Sequence, residues 1–576
     1  MSARGGDGPR HLSGRARNGG PRRPDPSGRP GDPRSPRPDP AAPPPDAGRR
    51  PPAPPTTARS GAGGAGRARP GARFDGGPAG PRPAAHAIDE GDGAPAPPAR
   101  RGRFRWALPV LLGLVAVGSG AAALALAADE AAPAVGVDEV VATPVLSARR
   151  VPEVIAAPVA DRRLDADLEG WLADSPTDTC LVVAAEGRDV FEHNPTVPVT
   201  GASTQKLLTA TGLLLAYGPD HTFTTTASAA AAPQGGVVTG DLYLVGGGPA
   251  DLGTPEWLTM GPGTRQRVVH DIGGLVEALV AAGVTRVDGS VVGDGSRFDD
   301  QRYEPSLAPR LIDQDQVGPV GGLMVNDGFA QFGPDRTNAG TVPAADPAAD
   351  AARVLTERLI ARGIAVGGPP RSGTAPDDAA TVAALESPPL AQIVADMLTT
   401  SDNEAAEAGI KEVGVATSGQ GSWPAGAAGV TSLLQQAGVP VDGLHVVDGS
   451  GLSIDDRFTC ATLVDVLTLE GTGPVVRAGL PVAGQTGTLA TRFQGTDLVG
   501  RLRAKTGTLR NVTALAGEVD TLQGGAVTFA YVANVPDPGE VTAEGVGVAE
   551  LGQILLEYPR GVDLTALQPQ PAVPAS

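Results

Sequence analysis

Lysine is nearly missing from this 576-residue chain. Among 46 basic residues only Lys206, Lys411 and Lys505 are lysines. Arginine serves wherever a positive charge suffices. Arginine is effectively never deprotonated, whereas a desolvated lysine can lose its proton. Each remaining lysine therefore raises the question of what arginine cannot supply. Cysteine is also scarce, at two residues, Cys180 and Cys460. That number excludes a cysteine metal cluster and a C-x-x-C redox site. Six histidines (His11, His86, His193, His221, His270, His445) are scattered without ligand spacing. No metal and no cofactor is expected. Hydrophobic residues make up 41% of the chain, enough for a substantial core.

Charge and composition are unevenly spread. Residues 1–105 are rich in Pro, Gly, Ala and Arg and carry 20 arginines against nine acids. They are too poor in apolar side chains to offset the entropy of ordering, so they read as a disordered, cytoplasmic tail. The remainder is strongly acidic, which excludes nucleic acid as its partner. Trp106 to Ala128 is an uncharged run of 23 residues, flanked by Arg100, Arg101, Arg103 and Arg105 before it and by Asp129 and Glu130 after it. Its length suits one bilayer crossing, and the charge asymmetry puts the tail inside and the body outside. A cleaved signal segment is the alternative, since small residues occupy 123–128. The length of the run and of the tail favours an anchor in the cell membrane. In either case the body is exported. In an oxidising compartment Cys180 and Cys460 can pair; two separate buried thiols are the other possibility.

Residues 129–158 read as a linker. Leu164, Leu168, Trp171 and Leu172 share a helical face within 161–174. Two short strands follow in CLVVAAEGRDVFEHN, then an apolar helix from Ser203 to about Tyr217. From 218 to 385, Thr-, Val- and Gly-rich segments read as strands and turns, with one helix near 346–362. Helix returns at about Pro388. Strand–turn–strand–strand is expected at about 500–535 and a closing helix at 541–558. The picture is a helix–sheet domain (159–217 plus 386–560) interrupted by one or two β-rich domains (218–385), with a short tail at 561–576.

Three polar triplets carry the chemistry. In Ser203-Thr204-Gln205-Lys206 the hydroxyl and the amine stand three apart on a helix, within mutual reach. A serine hydroxyl is a weak nucleophile that needs such a base, and burial of the lysine would lower its pKa. Lys505-Thr506-Gly507-Thr508 suits an edge strand lining a cleft, with Gly507 giving a substrate backbone close approach. Ser401-Asp402-Asn403 precedes a helical run, where a helix cap is the plain alternative. Lys411 stands four residues after Glu407, and a surface ion pair explains it.

S-x-x-K, then S-D-N, then K-T-G resembles the signature of penicillin-binding proteins and serine β-lactamases. Residues 240–248 (GDLYLVGGG), 323–328 (LMVNDG), 401–407 (SDNEAAE) and 448–453 (DGSGLS) are similar to the S13 peptidase family, the low-molecular-mass class C D-alanyl-D-alanine carboxypeptidases. The resemblance covers roughly 155–560. It implies an α/β (α+β) serine β-lactamase/transpeptidase-like domain with an insertion between the first two triplets. It also implies a serine D-alanyl-D-alanine carboxypeptidase or endopeptidase acting on peptidoglycan stem peptides and acylated by β-lactam antibiotics. On that resemblance Ser203 is the nucleophile, Lys206 its base and Ser401 a proton relay. Asn403 positions Lys206 and the substrate amide. Lys505, Thr506, Gly507 and Thr508 bind the terminal carboxylate, and the backbone N–H groups of Ser203 and Thr508 form the oxyanion hole. Thr486, in 484–489 (GQTGTL), stands where relatives commonly have Asp. A β-lactamase, or a non-catalytic wall-binding or β-lactam-sensing membrane protein, are the rival readings.

Overall fold

The computed structural model describes residues 152–561, apart from 174, 177, 249–251, 259–269, 334–340 and 536–546. The tail at 1–105, the 106–128 run and most of the 561–576 segment lie outside these residues. Among the described residues no helix is long and apolar enough to cross a membrane.

The first helix, α1 (Pro152–Leu172), starts well before the expected 161 and takes up the end of the segment read as linker. Pro152 stands in its first turn, where the missing N–H has no partner to lose. Leu164, Leu168 and Leu172 are its buried face, as their spacing predicted. Then come β1 (Asp178–Ala185), β2 (Arg188–His193) and α2 (Gln205–Tyr217). The next segment contributes β3 (Thr224–Ala229), β4 (Leu242–Val245), α3 (Gly273–Ala281), β5 (Val291–Asp294), α4 (Pro347–Ala361), β6 (Arg371–Ser372) and β7 (Ala380–Glu386), with shorter pieces between. Helices α5 (Leu390–Thr400), α6 (Asn403–Ser418), α7 (Trp423–Gln436) and α8 (Cys460–Thr468) follow. The chain closes with β8 (Leu502–Leu509), β9 (Val512–Asp520), β10 (Ala526–Asn534) and α9 (Val548–Leu556).

The principal sheet has the order β8-β9-β10-β1-β2 and is antiparallel throughout. Successive strand residues face opposite sides, so a strand covered on both faces is apolar along its whole length. In β1, Cys180, Val182 and Ala184 join the core under α2, α5, α6, α7 and α8. Leu181, Val183 and Ala185 join a second core under α1 and α9. The continuous CLVVAA run is this two-sided burial read out in sequence.

A separate core has all its fully buried members between Ala227 and Ala383. It is built on a second sheet, ordered β6-β5-β4-β3-β7. Here β4, β5 and β6 run parallel, with α3 and α4 in the crossovers, and β3 and β7 pair antiparallel. The segment is thus more helical than its texture suggested. The nine residues of α3 (GGLVEALVA) form a short apolar run, which periodicity alone cannot separate from a buried strand. The mixed α/β content agrees with the expected fold class.

Cys180 of β1 and Cys460, the first residue of α8, form a disulfide across 280 residues of chain. The bond ties the central sheet to a covering helix. Removing both thiols (Cys180→Ala with Cys460→Ala) is expected to lower unfolding stability by about 2–4 kcal/mol. Urea unfolding of the protein, oxidised against double variant, measures it; equal midpoints would contradict a stabilising bond.

Candidate active site

Ser203 lies in a short 3-10 turn, Ala202–Thr204, that leads directly into α2. The turn is tightly held. Ala202 adopts a positive φ of 50°, a conformation that costs a residue with a side chain. A Cβ on Gly507 would come within 2.3 Å of the Gly201 carbonyl oxygen, and one on Gly451 within 2.0 Å of the Ala202 carbonyl oxygen. The absent side chain of Gly507 therefore makes room for the protein's own turn.

At the second position of α2, one turn on from Ser203, Lys206 is completely buried. Its Nζ lies 3.3 Å from Ser203 Oγ and donates to Asn403 Oδ1 at 2.6 Å and to the Ser450 carbonyl at 2.8 Å. Among the described residues no carboxylate contacts the amine directly. Burial lowers its pKa to about 8, against the opposing pull of Glu407, Asp448, Asp402 and Glu404.

Ser401 ends α5 in the left-handed conformation, with φ 61° and ψ 41°. This abrupt turn separates α5 from α6. Asp402 performs the capping, accepting from the Ala405 N–H. The cap reading of this triplet is correct for Asp402 and leaves its neighbours free. Asn403 Nδ2 donates to the Gln316 carbonyl at 2.6 Å, which fixes the amide with its oxygen towards Lys206. Gln316 belongs to the 218–385 segment, so that segment reaches into the site.

Lys505 is also fully buried, on the edge strand β8. Its Nζ donates to Ser401 Oγ and to the Thr506 carbonyl, both at 2.9 Å. Burial, and next Lys206, push its pKa well below the usual lysine range. On the outer side of β8 the Ala504 N–H donates to the Pro481 carbonyl. Strand periodicity turns the Thr506 and Thr508 N–H groups to the same open side. Thr506 Oγ1 donates to Thr488 Oγ1 at 3.3 Å, and Thr508 is exposed. Thr486 accepts from the Val482 N–H at 2.8 Å, so threonine sustains a local turn there. All three triplets thus converge on one place.

Several functional neighbours had no readable signal. Ser450 sits in the 448–453 stretch that the resemblance singled out, but nothing in sequence linked its carbonyl to Lys206. Glu407 does not pair with Lys411. It accepts from Trp423 Nε1 at 2.6 Å and from the Gly449 and Ser450 N–H groups at 3.1 and 3.0 Å. Lys411 is fully buried, not at the surface; it pairs with Asp299 at 2.6 Å and stands 3.8 Å over the Trp423 ring. Asp327, Asp402 and Glu404 bring carboxylate oxygens within 4.8 Å of one another. Burial, and then Asp402 and Asp327, raise Glu404 well above the usual carboxylate range, so a proton can relieve the repulsion that a cation otherwise would. A cavity of about 1250 Å³ beside Arg297, Trp423 and Arg457 is lined by none of the triplet residues.

The chain matches the family described as D-Ala-D-Ala carboxypeptidase 3 (S13) over residues 164–346 and 336–550. It is 34% identical over 415 residues to a carboxypeptidase of Mycobacterium tuberculosis, covering 70% of this chain and 83% of that protein. It is 31% identical over 431 residues to a D-alanyl-D-alanine carboxypeptidase of an Actinomadura species, covering 64% and 80%. In fold it resembles penicillin binding protein 4 from Haemophilus influenzae, with a TM-score of 0.55, 20% identity, and coverage of 68% of this chain and 98% of that one.

Gly507→Ala tests the close packing against the nucleophile turn. The added methyl must displace the Gly201 carbonyl, at an overpacking cost of about 1–3 kcal/mol. Thermal unfolding and labelling by a fluorescent penicillin should both decline. An unchanged melting temperature would show that the turn yields freely.

Proposed function

The chain belongs to the D-Ala-D-Ala carboxypeptidase 3 (S13) family, a serine-type hydrolase of the cell wall, and on that premise we propose how its own residues divide the reaction. Ser203 Oγ attacks the carbonyl carbon between two D-alanines of a stem peptide. Lys206 accepts the hydroxyl proton. The observation that carries this is the set of contacts at Nζ. A neutral amine has two N–H groups and one lone pair. Asn403 Oδ1 and the Ser450 carbonyl occupy the two N–H groups, and the remaining direction faces Ser203 Oγ.

Backbone N–H groups of Ser203 and Thr508 stabilise the oxyanion, worth about 3–4 kcal/mol per donor. As the C–N bond breaks, the proton that Lys206 took from Ser203 passes by way of Ser401 to the departing D-alanine amine. Lys505 donates to the Ser401 hydroxyl and so holds it in place for that relay. Water then attacks the ester carbonyl, releases the shortened stem as a carboxylate and returns the proton to Ser203. Thr506, Thr508 and Lys505 receive the terminal carboxylate. An incoming carboxylate favours the charged form of Lys505, so substrate itself supplies the condition for its own ion pair. β-Lactams acylate Ser203 by the same attack. The same chemistry at an internal cross-link makes endopeptidase action a second output of this site.

We further propose that the body works outside the cell, held by the 106–128 run. The arginine-flanked segment supports this, as does the disulfide, a bond of oxidising compartments. A β-lactamase would need rapid hydrolysis of its acyl-enzyme; a penicilloyl adduct surviving for minutes decides for the peptidase.

Ser203→Ala should abolish covalent labelling by fluorescent penicillin and release of D-alanine from a pentapeptide stem. Lys206→Arg should cripple both, because arginine retains charge without basicity. Lys206→Arg acylating at the wild-type rate would exclude it as the base. Since the base must be neutral, the acylation rate should climb with pH until about 8, the lowered value of Lys206, and then level. A rate independent of pH from about 6 to 9 would contradict a lysine base.

A further inference from the structure

Helix α6 carries Asn403, Glu407 and Lys411 at intervals of four, so the three side chains form one stripe along the helix. Asn403 touches Lys206 directly. Glu407, one turn on, is 1% exposed and does not contact substrate-binding residues. Its two oxygens instead take the backbone N–H groups of Gly449 and Ser450 and the indole N–H of Trp423. The carbonyl of that same Ser450 receives the Lys206 amine. Further contacts brace the same loop. Asp448 accepts from the Gly451 and Ser453 N–H groups, and Gln205 and Thr209 of α2 donate to the carbonyls of Asp448 and Gly449. Ser450 is thus held from both sides, by Glu407 at its own N–H and by Asp448 at the following Gly451 N–H.

We propose that Glu407 is a positioning residue for acylation: its carboxylate anchors Ser450 by the backbone N–H, which helps hold the carbonyl of that residue against Lys206 and so aims the lone pair of the amine at Ser203. The inference rests on Lys206 being the base. Glu407 also sets the electrostatic background. Among the groups that raise Lys206 against burial it stands first, so its negative charge delays the loss of the lysine proton. The other charged groups around this pair are Asp448 in the loop, Lys411 on the same helix, and Asp402 and Glu404 at its start. Lys505 of β8 faces Lys206, and Asp456 faces Asp448. Burial, and then Asp448, bring Glu407 itself up to about 7. Its charge therefore changes in the range where the enzyme must work.

Glu407→Gln separates positioning from simple support. Glutamine removes the charge and turns an NH2 group towards donors that need an acceptor. The plateau rate of acylation by fluorescent penicillin should fall by roughly tenfold or more, as misplacement of a reacting group does. The acidic limb of the pH–rate profile should move down by about half a unit or more, because Lys206 loses its stabilising neighbour. Glu407→Asp should restore the limb while leaving the plateau low, since the charge returns on a shorter arm. Trp423→Phe removes one donor to Glu407 and should shift the limb in the same direction by less. It remains informative should Glu407→Gln not fold. An unmoved limb in both Glu407→Gln and Trp423→Phe, whether the rate is retained or uniformly reduced, overturns the proposal. Lys206→Arg run in parallel keeps the two readings apart. If it acylates normally, the base assignment fails. If it is inactive while the Glu407→Gln profile is unchanged, only the role of Glu407 fails.

Discussion

Two lysine amines buried without a carboxylate in contact with either are the constraint around which this site is arranged. Lys206 and Lys505 are both fully buried, and their direct partners are hydroxyl, amide and carbonyl oxygens. A directly paired carboxylate would hold an ammonium in place and abolish its basicity. Neutral acceptors satisfy the N–H groups without that effect, while desolvation and mutual repulsion favour the unprotonated amines. Negative charge is moved one layer outward, to Glu407, Asp448, Asp402 and Glu404. From there it moderates the shift of Lys206 without capturing its proton.

The fold supplies this arrangement from four distant parts of the chain. The turn into α2 brings Ser203 and Lys206, and the break between α5 and α6 brings Ser401 and Asn403. The edge strand β8 brings Lys505, and the 448–453 loop brings the Ser450 carbonyl. Each is pinned to a neighbour rather than left to loop geometry. Gly507 lets β8 lie against the nucleophile turn, and Gln316 holds the Asn403 amide in one orientation. The second contact shows why the inserted segment matters to chemistry it does not perform. The backbone carbonyl it contributes decides which end of Asn403 meets the lysine.

Much of this was readable in sequence, and the reasons are specific. The apolar run of β1 and the leucine spacing of α1 reflect periodicities of two and 3.6, which are local. The triplets were legible because nucleophile, base and relay need particular residue types at short spacing. The disulfide was open as one of two outcomes, since pairing depends on where β1 and α8 meet. What escaped was contact between residues far apart in sequence through groups with no identity. Ser450 acts through its backbone carbonyl, which every residue possesses. Glu407 and Lys411 have helical spacing that suits an ion pair, yet Trp423 and Asp299 claim them instead. For Gly507 the packing against Gly201 was out of reach, because the sequence cannot say whether a missing Cβ serves a ligand or the chain itself.

The scarcity of lysine acquires a physical meaning at this point. All three lysines of the chain are completely buried, although 43 arginines are available for ordinary cationic duty. A guanidinium keeps its charge under nearly any desolvation and presents five donors in a fixed plane. None of the three pockets could satisfy it. On the proposed mechanism Lys206 must be able to take up and shed a proton, which a guanidinium cannot. Lys411 has Asp299, one backbone carbonyl and an indole face, a compact set that suits a small ammonium. A composition that replaces lysine wherever arginine serves has therefore kept it where size or proton exchange rules arginine out. Burial, not charge, is what the three sites share.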